Sequence, residues 1–184
     1  ESASRGRTSL KDRKAMIIDA HAHLVAPAAL YAHRSNLVVS GGQYGSSYRA
    51  QVSDRLLEES ADQNVRIMDA VGTDLQLLSP RPFLTLNGTA RWNDIVDWTS
   101  DTNDMIARTV RMHPNRFRGV GALPQQVDRP VTSLFEEIER VVDELGFVGV
   151  LLNPDPSEGM NGSPPLGDPY WYPLYEKLCE LDLP

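Results

Sequence analysis

Short apolar runs alternate with amphipathic helical patterns four times along this chain of 184 residues. The apolar runs lie at residues 16–18, 75–78, 117–123 and 147–152. Each run is mostly apolar and lacks a regular in-out alternation, which is typical of strands in a parallel sheet whose two faces are both covered by helices. The pattern therefore predicts an α/β fold made of about four βα units.

The segments between these runs carry the signals of helix ends. Helices are predicted over residues 53–72, 95–112, 133–146 and 171–181. Ser133 and Glu136 have the spacing of a capping box, in which each side chain binds a backbone N–H at the helix start. By contrast, residues 24–52 are rich in Gly, Ser and Ala, and we predict a long irregular loop there.

The motif after the first run distinguishes between two folds with this pattern. A doubly wound nucleotide-binding sheet usually has a Gly-rich phosphate loop there, whereas this chain has His21-Ala22-His23. A complete (β/α)8 TIM barrel needs about 250 residues. We therefore predict that residues 16–184 form the N-terminal half of such a barrel and end before the fifth strand. Residues 1–15 are polar and are predicted to be a disordered extension or linker.

Composition narrows the class of function. The chain has 25 acidic and 18 basic residues, and this net charge of −7 disfavours binding to nucleic acid. It contains neither an apolar run of membrane-spanning length nor a signal-peptide pattern. Cys179 is the single cysteine, so an intrachain disulfide is excluded, and its place in the apolar stripe of the last helix predicts a core position. The sequence thus favours a cytoplasmic protein that acts on a small molecule.

His21 and His23 are candidate metal ligands. Side chains at positions i and i+2 of a strand point the same way, so both imidazoles could reach one ion. Asp19 could support one of the rings by accepting an imidazole N–H. The alternative is a turn that holds two exposed histidines without a metal.

Two histidines do not complete a catalytic metal centre. A catalytic zinc site usually takes three protein ligands and keeps one position open. His33 lies in the predicted loop and His113 at a helix C-terminus, where a cation offsets the helix dipole, so neither is expected to be a ligand. The remaining ligands and the catalytic acid or base are expected beyond Pro184.

Two other polar residues directly follow predicted strands. Arg81 would lie at the catalytic rim of a barrel, where its planar guanidinium could bind a carboxylate through two hydrogen bonds. A surface arginine in a proline-rich turn explains the position equally well. Asn153 could orient substrate or water, whereas Asp155 in the Asn-Pro-Asp-Pro segment is expected to serve the turn.

Residues 16–23 and 113–124 resemble the amidohydrolase-related metalloenzymes, the group that includes aminocarboxymuconate semialdehyde decarboxylase. Within that group, residues 79–81, 146–157 and 163–177 are most similar to the 4-oxalomesaconate hydratases. The resemblance implies a (β/α)8 barrel with one divalent metal, Zn²⁺ by preference and Mn²⁺ as the alternative. It implies that His21 and His23 are ligands and that a later histidine and an acidic residue complete the site.

The resemblance also implies a function. It predicts a lyase that adds water to a C=C bond of an unsaturated oxo-di- or tricarboxylate in aromatic catabolism, with Ser79, Arg81 and Asn153 binding the substrate. Non-oxidative decarboxylation, metal-dependent hydrolysis and a non-catalytic binding domain are the alternatives. The full-length protein is expected to be a homo-oligomer and the 184-residue piece alone to be inactive. One departure is that residues 82–88 are apolar where the hydratases are expected to be polar.

Overall fold

A computed structural model describes residues 15–25, 27–40, 50–81, 86, 91–127, 129–157, 159 and 162–184. The strands and α-helices in chain order are β1 (Ile18–His23), α1 (Ala28–Ser40), α2 (Asp54–Val71), β2 (Leu75–Ser79), α3 (Trp92–Met112), β3 (Phe117–Gly119), β4 (Gly121–Ala122), α4 (Phe135–Asp143), β5 (Val150–Leu151) and α5 (Tyr172–Glu180). Two 3-10 helices, Val131–Leu134 and Pro169–Trp171, precede α4 and α5. The extension predicted for residues 1–15 lies outside the described residues except for Ala15.

All the described strands pair in parallel, in the orders β1-β2-β3 and β4-β5. Only Val120 separates β3 from β4, and its N–H donates to Leu78 O at 2.8 Å. The next residue, Gly121, donates to Gly149 O at 2.9 Å. β3 and β4 are therefore one extended segment that pairs with β2 at its start and with β5 at its end. The predicted α/β series of parallel strands is confirmed, and the described strands form a partial barrel that is not closed.

β1 contains a bulge that orients the histidine pair. Asp19 pairs with Gln76 and Ala22 pairs with Leu78, so three residue steps on β1 oppose two on β2. An extra residue of this kind bends a strand and re-aims the side chains that follow it. Beyond the bulge, Ala22 is buried in the core, whereas His21 and His23 lie on the other face of the strand.

The first residue of β1 and the two residues before it are more exposed than their apolar sequence predicts. Met16, Ile17 and Ile18 are 68%, 51% and 50% exposed, so the prediction of a buried first strand was wrong. The reason is the position of β1 at the sheet edge, where its partner among the described strands is β2. In a closed barrel every strand has two neighbours.

The predicted ends of α2 are confirmed. The Ser53 hydroxyl accepts the Leu56 N–H at 3.4 Å, and Gly72 ends the helix in the left-handed conformation with a φ of 81°. The predicted capping box before α4 is wrong. The chain turns into a 3-10 helix directly after Pro130, so Ser133 already lies inside a helical turn and does not cap α4.

The predicted irregular loop over residues 24–52 contains α1. Tertiary packing stabilises this helix, because Leu30 is fully buried and His33 is 7% exposed against the Trp98 ring. The Gly- and Ser-rich positions that suggested a loop, residues 41–42 and 45–47, lie outside the described residues.

The core has two parts that flank the strands. One packs α1, α2 and α3 on the sheet, and the other packs α4 and α5 near the end of β4. The fully buried large side chains among the described residues are Leu24, Leu30, Leu57, Met68, Leu78, Ile95, Trp98, Ile106, Phe117, Ile138 and Trp171. Cys179 is exposed, in contrast to the core position predicted, because it lies one residue beyond Leu178 on the solvent side of α5. No helix in the described ranges is both long and apolar enough to cross a membrane.

Candidate active site

The polar residues that follow the strands come together at one rim. His21 and His23 end β1, Ser79 ends β2, and Asn153 follows β5 by two residues. In a parallel β/α arrangement the carboxyl ends of the strands face the same side, and barrel enzymes place their active sites there. Arg81 follows β2 by two residues and belongs to the same rim.

The two histidines form an edge-to-face pair. Their ring centroids are 4.9 Å apart and the ring planes are inclined by 78°. Within the described ranges, no group of three or more His, Cys, Asp or Glu side chains could hold a metal ion. The structure thus brings the two histidines together, and their role as metal ligands stays a prediction.

Ser79 contacts the ring of His23. Its hydroxyl donates to Ala22 O at 3.1 Å and lies 3.1 Å from His23 Nδ1. A hydroxyl carries a single hydrogen, so while it donates to Ala22 O it can only accept from the ring. The tautomer that suits this arrangement is protonated at Nδ1 and keeps a lone pair at Nε2, which is the form that binds a metal. A substrate-binding role for Ser79 stays a prediction, because the described contacts of its hydroxyl are to His23 and β1.

The surroundings of His23 favour the neutral ring. Partial burial lowers the pKa of His23 below its usual value, and the nearby positive charges of His21 and Arg81 lower it further. Carbonyl groups of Ser79 and Pro80 oppose this shift. A neutral imidazole is the ligating form, so the donor chemistry of the site fits a divalent cation.

Asp19 supports the pair through the backbone. Its carboxylate accepts the His21 N–H at 3.2 Å and the Gln76 side-chain amide at 3.1 Å. Gln76 in turn accepts from Asn64 at 2.8 Å. The predicted contact with an imidazole ring is replaced by these bonds, because the bulge brings the His21 N–H over the carboxylate.

A cavity of about 280 Å³ opens beside His21. Its other lining residues are Ala122, Leu123, Gln125, Leu151, Leu152, Asn153 and Pro154. Leucine side chains give it an apolar wall, and Gln125 and Asn153 add the polar groups. Sequence reasoning missed Gln125, although it follows β4 as Arg81 follows β2 and Asn153 follows β5.

The Asn153 side chain shapes the loop after β5. Its Oδ1 accepts the Asp155 N–H at 3.0 Å in a local turn. Asp155 then accepts from Ser157 and Gly159, and these bonds hold the pKa of its carboxyl below the usual range. The turn role predicted for Asp155 is confirmed, and Asn153 Nδ2 is left as the group that could face a substrate.

His33 and His113 do not join the pair. His33 packs against Trp98 with ring centroids 5.9 Å apart. His113 lies at the end of α3, where its Nε2 is 3.1 Å from Asp62 Oδ1. That neither is a metal ligand stays a prediction. Residues 82–88, where the sequence departs from the hydratases, lie outside the described residues except for Leu86.

The amidohydrolase family model matches residues 18–184. The chain belongs to this family. It is 39% identical over 173 residues to a 2-keto-4-carboxy-3-hexenedioate hydratase from Sphingobium sp., covering 92% of this chain and 50% of the relative. The chain spans about half the length of the relatives it matches.

Solved structures show the same fold. The 4-oxalomesaconate hydratase from Rhodopseudomonas palustris superposes with a TM-score of 0.83 at 35% identity, over 92% of this chain and 51% of the other. A dihydroxybenzoic acid decarboxylase from Polaromonas sp., solved with manganese and 2-nitroresorcinol, gives 0.61 at 26% identity, over 92% and 48%. The predicted half of a (β/α)8 barrel and the resemblance to the hydratases are both confirmed.

Proposed function

We propose that this chain supplies the first half of the active site of a metal-dependent hydratase, which adds water across the C=C bond of an unsaturated oxo-di- or tricarboxylate. The observation that carries the proposal is the His21 and His23 pair at the end of β1, where the Ser79 hydroxyl lies 3.1 Å from His23 Nδ1. The 39% identity to a hydratase supports the reaction class.

The donor set suits a first-row divalent ion, and we propose Zn²⁺ with Mn²⁺ as the alternative. Such an ion would supply Lewis-acid chemistry, acidifying water and polarising a substrate oxygen. Manganese in the Polaromonas decarboxylase supports a divalent cation in this family.

Arg81 and Asn153 are the proposed contacts to the substrate. The planar fork of Arg81 matches the two oxygens of a carboxylate, and its charge acts on His23, whose pKa it lowers. Asn153 offers a neutral donor in the wall of the cavity beside His21. The leucine side chains of that cavity would receive the carbon skeleton.

The test compares His21→Ala with His113→Ala in the natural full-length protein. Metal content is measured after gel filtration, and hydration is followed by loss of the conjugated enone absorbance. We expect His21→Ala to lose both bound metal and activity, and His113→Ala to keep both. Normal metal content in His21→Ala, or a wild type that hydrates no unsaturated oxo-dicarboxylate, would overturn the proposal.

Non-oxidative decarboxylation is the second candidate. The similarity to the Polaromonas decarboxylase and the apolar wall beside His21 favour it, because a flat aromatic acid fits such a wall. Release of CO₂ from dihydroxybenzoates without hydration of oxo-dicarboxylates would select this function.

A further inference from the structure

The Gln125 side chain joins the ends of β4 and β5. Its Nε2 donates to Asn153 O at 2.9 Å, and its Oε1 accepts the Asn153 N–H at 2.7 Å. Gln125 is 3% exposed, so water does not compete for these bonds. One planar amide therefore satisfies both main-chain groups of Asn153.

This contact extends the pairing of β4 with β5 beyond the last residue pair of the backbone ladder. The β4-β5 ladder pairs Gly121 with Val150 and Ala122 with Leu151, and Asn153 lies two residues beyond it. Buried backbone groups must find partners, and without the ladder a side chain has to provide them. Gln125 thus takes the place of a further strand residue.

The β4 end that carries Gln125 is itself fixed from the helix side. Asn103, fully buried in α3, donates to Ala122 O at 3.1 Å and accepts the Ala122 N–H at 2.9 Å. Its Nδ2 also donates to Glu137 Oε1 at 2.6 Å, and Arg140 binds both Glu137 and Asp104. The buried Asn103 side chain therefore anchors the end of β4, three residues before Gln125.

The loop after β5 depends on this contact. Asn153 Oδ1 accepts the Asp155 N–H, and Asp155 accepts from Ser157 and Gly159. If Asn153 shifts, each of these bonds must shift with it. Both Gln125 and Asn153 line the cavity beside His21, so such a shift changes the wall of the site.

We propose that Gln125 is a positioning residue, which holds Asn153 where its amide can bind a carboxylate or oxo group of the substrate. This inference rests on the proposed function of the rim. Gln125 acts through Asn153, so its loss should weaken substrate binding more than it slows the reaction of bound substrate.

The test uses three variants of the natural full-length protein. Gln125→Met keeps the side-chain length but loses both bonds. Gln125→Glu can restore both bonds only as the neutral acid, because a carboxylate cannot donate to Asn153 O. Thr109→Val is the matched control, since it removes another buried hydrogen bond, from Thr109 to Met105 O, within α3.

We expect KM to rise about tenfold in Gln125→Met, with kcat changed less than about twofold. In Gln125→Glu, KM should approach the wild-type value at low pH and rise as the acid ionises, a dependence that wild type and Gln125→Met lack. Hydrogen exchange at the Asn153 amide should be faster by about tenfold or more in Gln125→Met and unchanged in Thr109→Val.

The outcomes separate this inference from the proposed function. An active wild type whose Gln125→Met variant keeps its KM, or whose Gln125→Glu variant shows no pH-dependent KM, would overturn the role of Gln125 alone. A wild type without lyase activity would overturn the proposed function, and with it the role that depends on it.

Discussion

Gly119 lies where the strand from β3 to β4 passes under the Phe147 ring. A Cβ atom added at Gly119 would lie 2.3 Å from two carbons of that ring and 2.8 Å from a third. Carbon atoms normally pack about 3.5–4.0 Å apart. The substitution Gly119→Ala therefore forces either the ring or the strand to move.

The structure limits how this overlap can be relieved. The strand is held on both sides, because Gly119 O accepts the Val148 N–H at 2.9 Å and the Val120 N–H donates to Leu78 O at 2.8 Å. Phe147 is 5% exposed and belongs to the core packed on the sheet, so a movement of its ring disturbs its other neighbours. Expelling the ring is the remaining route, and its upper limit is the cost of Phe147→Ala, about 3–5 kcal/mol. We expect Gly119→Ala to lower the free energy of unfolding by about 3 kcal/mol.

Urea unfolding of the natural full-length protein, followed by tryptophan fluorescence, measures this change. Gly121→Ala is the matched control in the same strand. Its Cβ would meet Val141 side-chain atoms at 3.0–3.2 Å, and the expected cost is about 1 kcal/mol. In a Phe147→Ala background, Gly119→Ala should cost less than about 1 kcal/mol, because the atoms it strikes are gone. A change of less than about 0.5 kcal/mol in the single variant, or additive effects in the double variant, would refute the reasoning.

Three further predictions concern the site and its support. Ser79→Ala removes the hydroxyl that can accept from the His23 ring, so metal affinity should fall about 10–100-fold in a chelator competition. Unchanged affinity would contradict a hydrogen bond from His23 Nδ1 to Ser79. Arg81→Lys keeps the charge but loses the planar guanidinium, so kcat/KM should fall about 100-fold while the metal content stays unchanged. Full activity in this variant would mean that Arg81 is a surface residue of the turn and does not bind substrate. Burial lowers the pKa of His33, with Asp101 opposing the shift. Below pH about 6.5 the unfolded chain therefore binds more protons at His33 than the folded protein does. The free energy of unfolding is accordingly highest above pH about 6.5 and decreases as the pH falls toward the lower pKa of His33 in the folded protein. In His33→Gln, the free energy of unfolding should depend less on pH over this range. An equal pH dependence in the wild type and the variant would rule out His33 as the cause.

Local sequence signals correctly predicted those elements whose ends are determined by their own residues. Ser53 and Gly72 define α2 because a hydroxyl cap and a left-handed glycine act within one turn. The apolar strands and their parallel order follow from burial on both faces. The same reasoning failed for α1, whose stability comes from packing against α3, and for the capping box at Ser133, where Pro130 starts the turn earlier.

The sequence by itself determined the half-barrel fold, because strand and helix patterns are local properties, and its motifs indicated the family. It named His21, His23, Ser79, Arg81 and Asn153 as candidates at the strand ends but missed Gln125. Only the tertiary structure decided what those side chains contact. Ser79 reaches His23 across 56 positions, and Gln125 reaches Asn153 across 28. Such contacts depend on strand register and on the bulge in β1, which arise when strands pair and leave no local mark in the sequence.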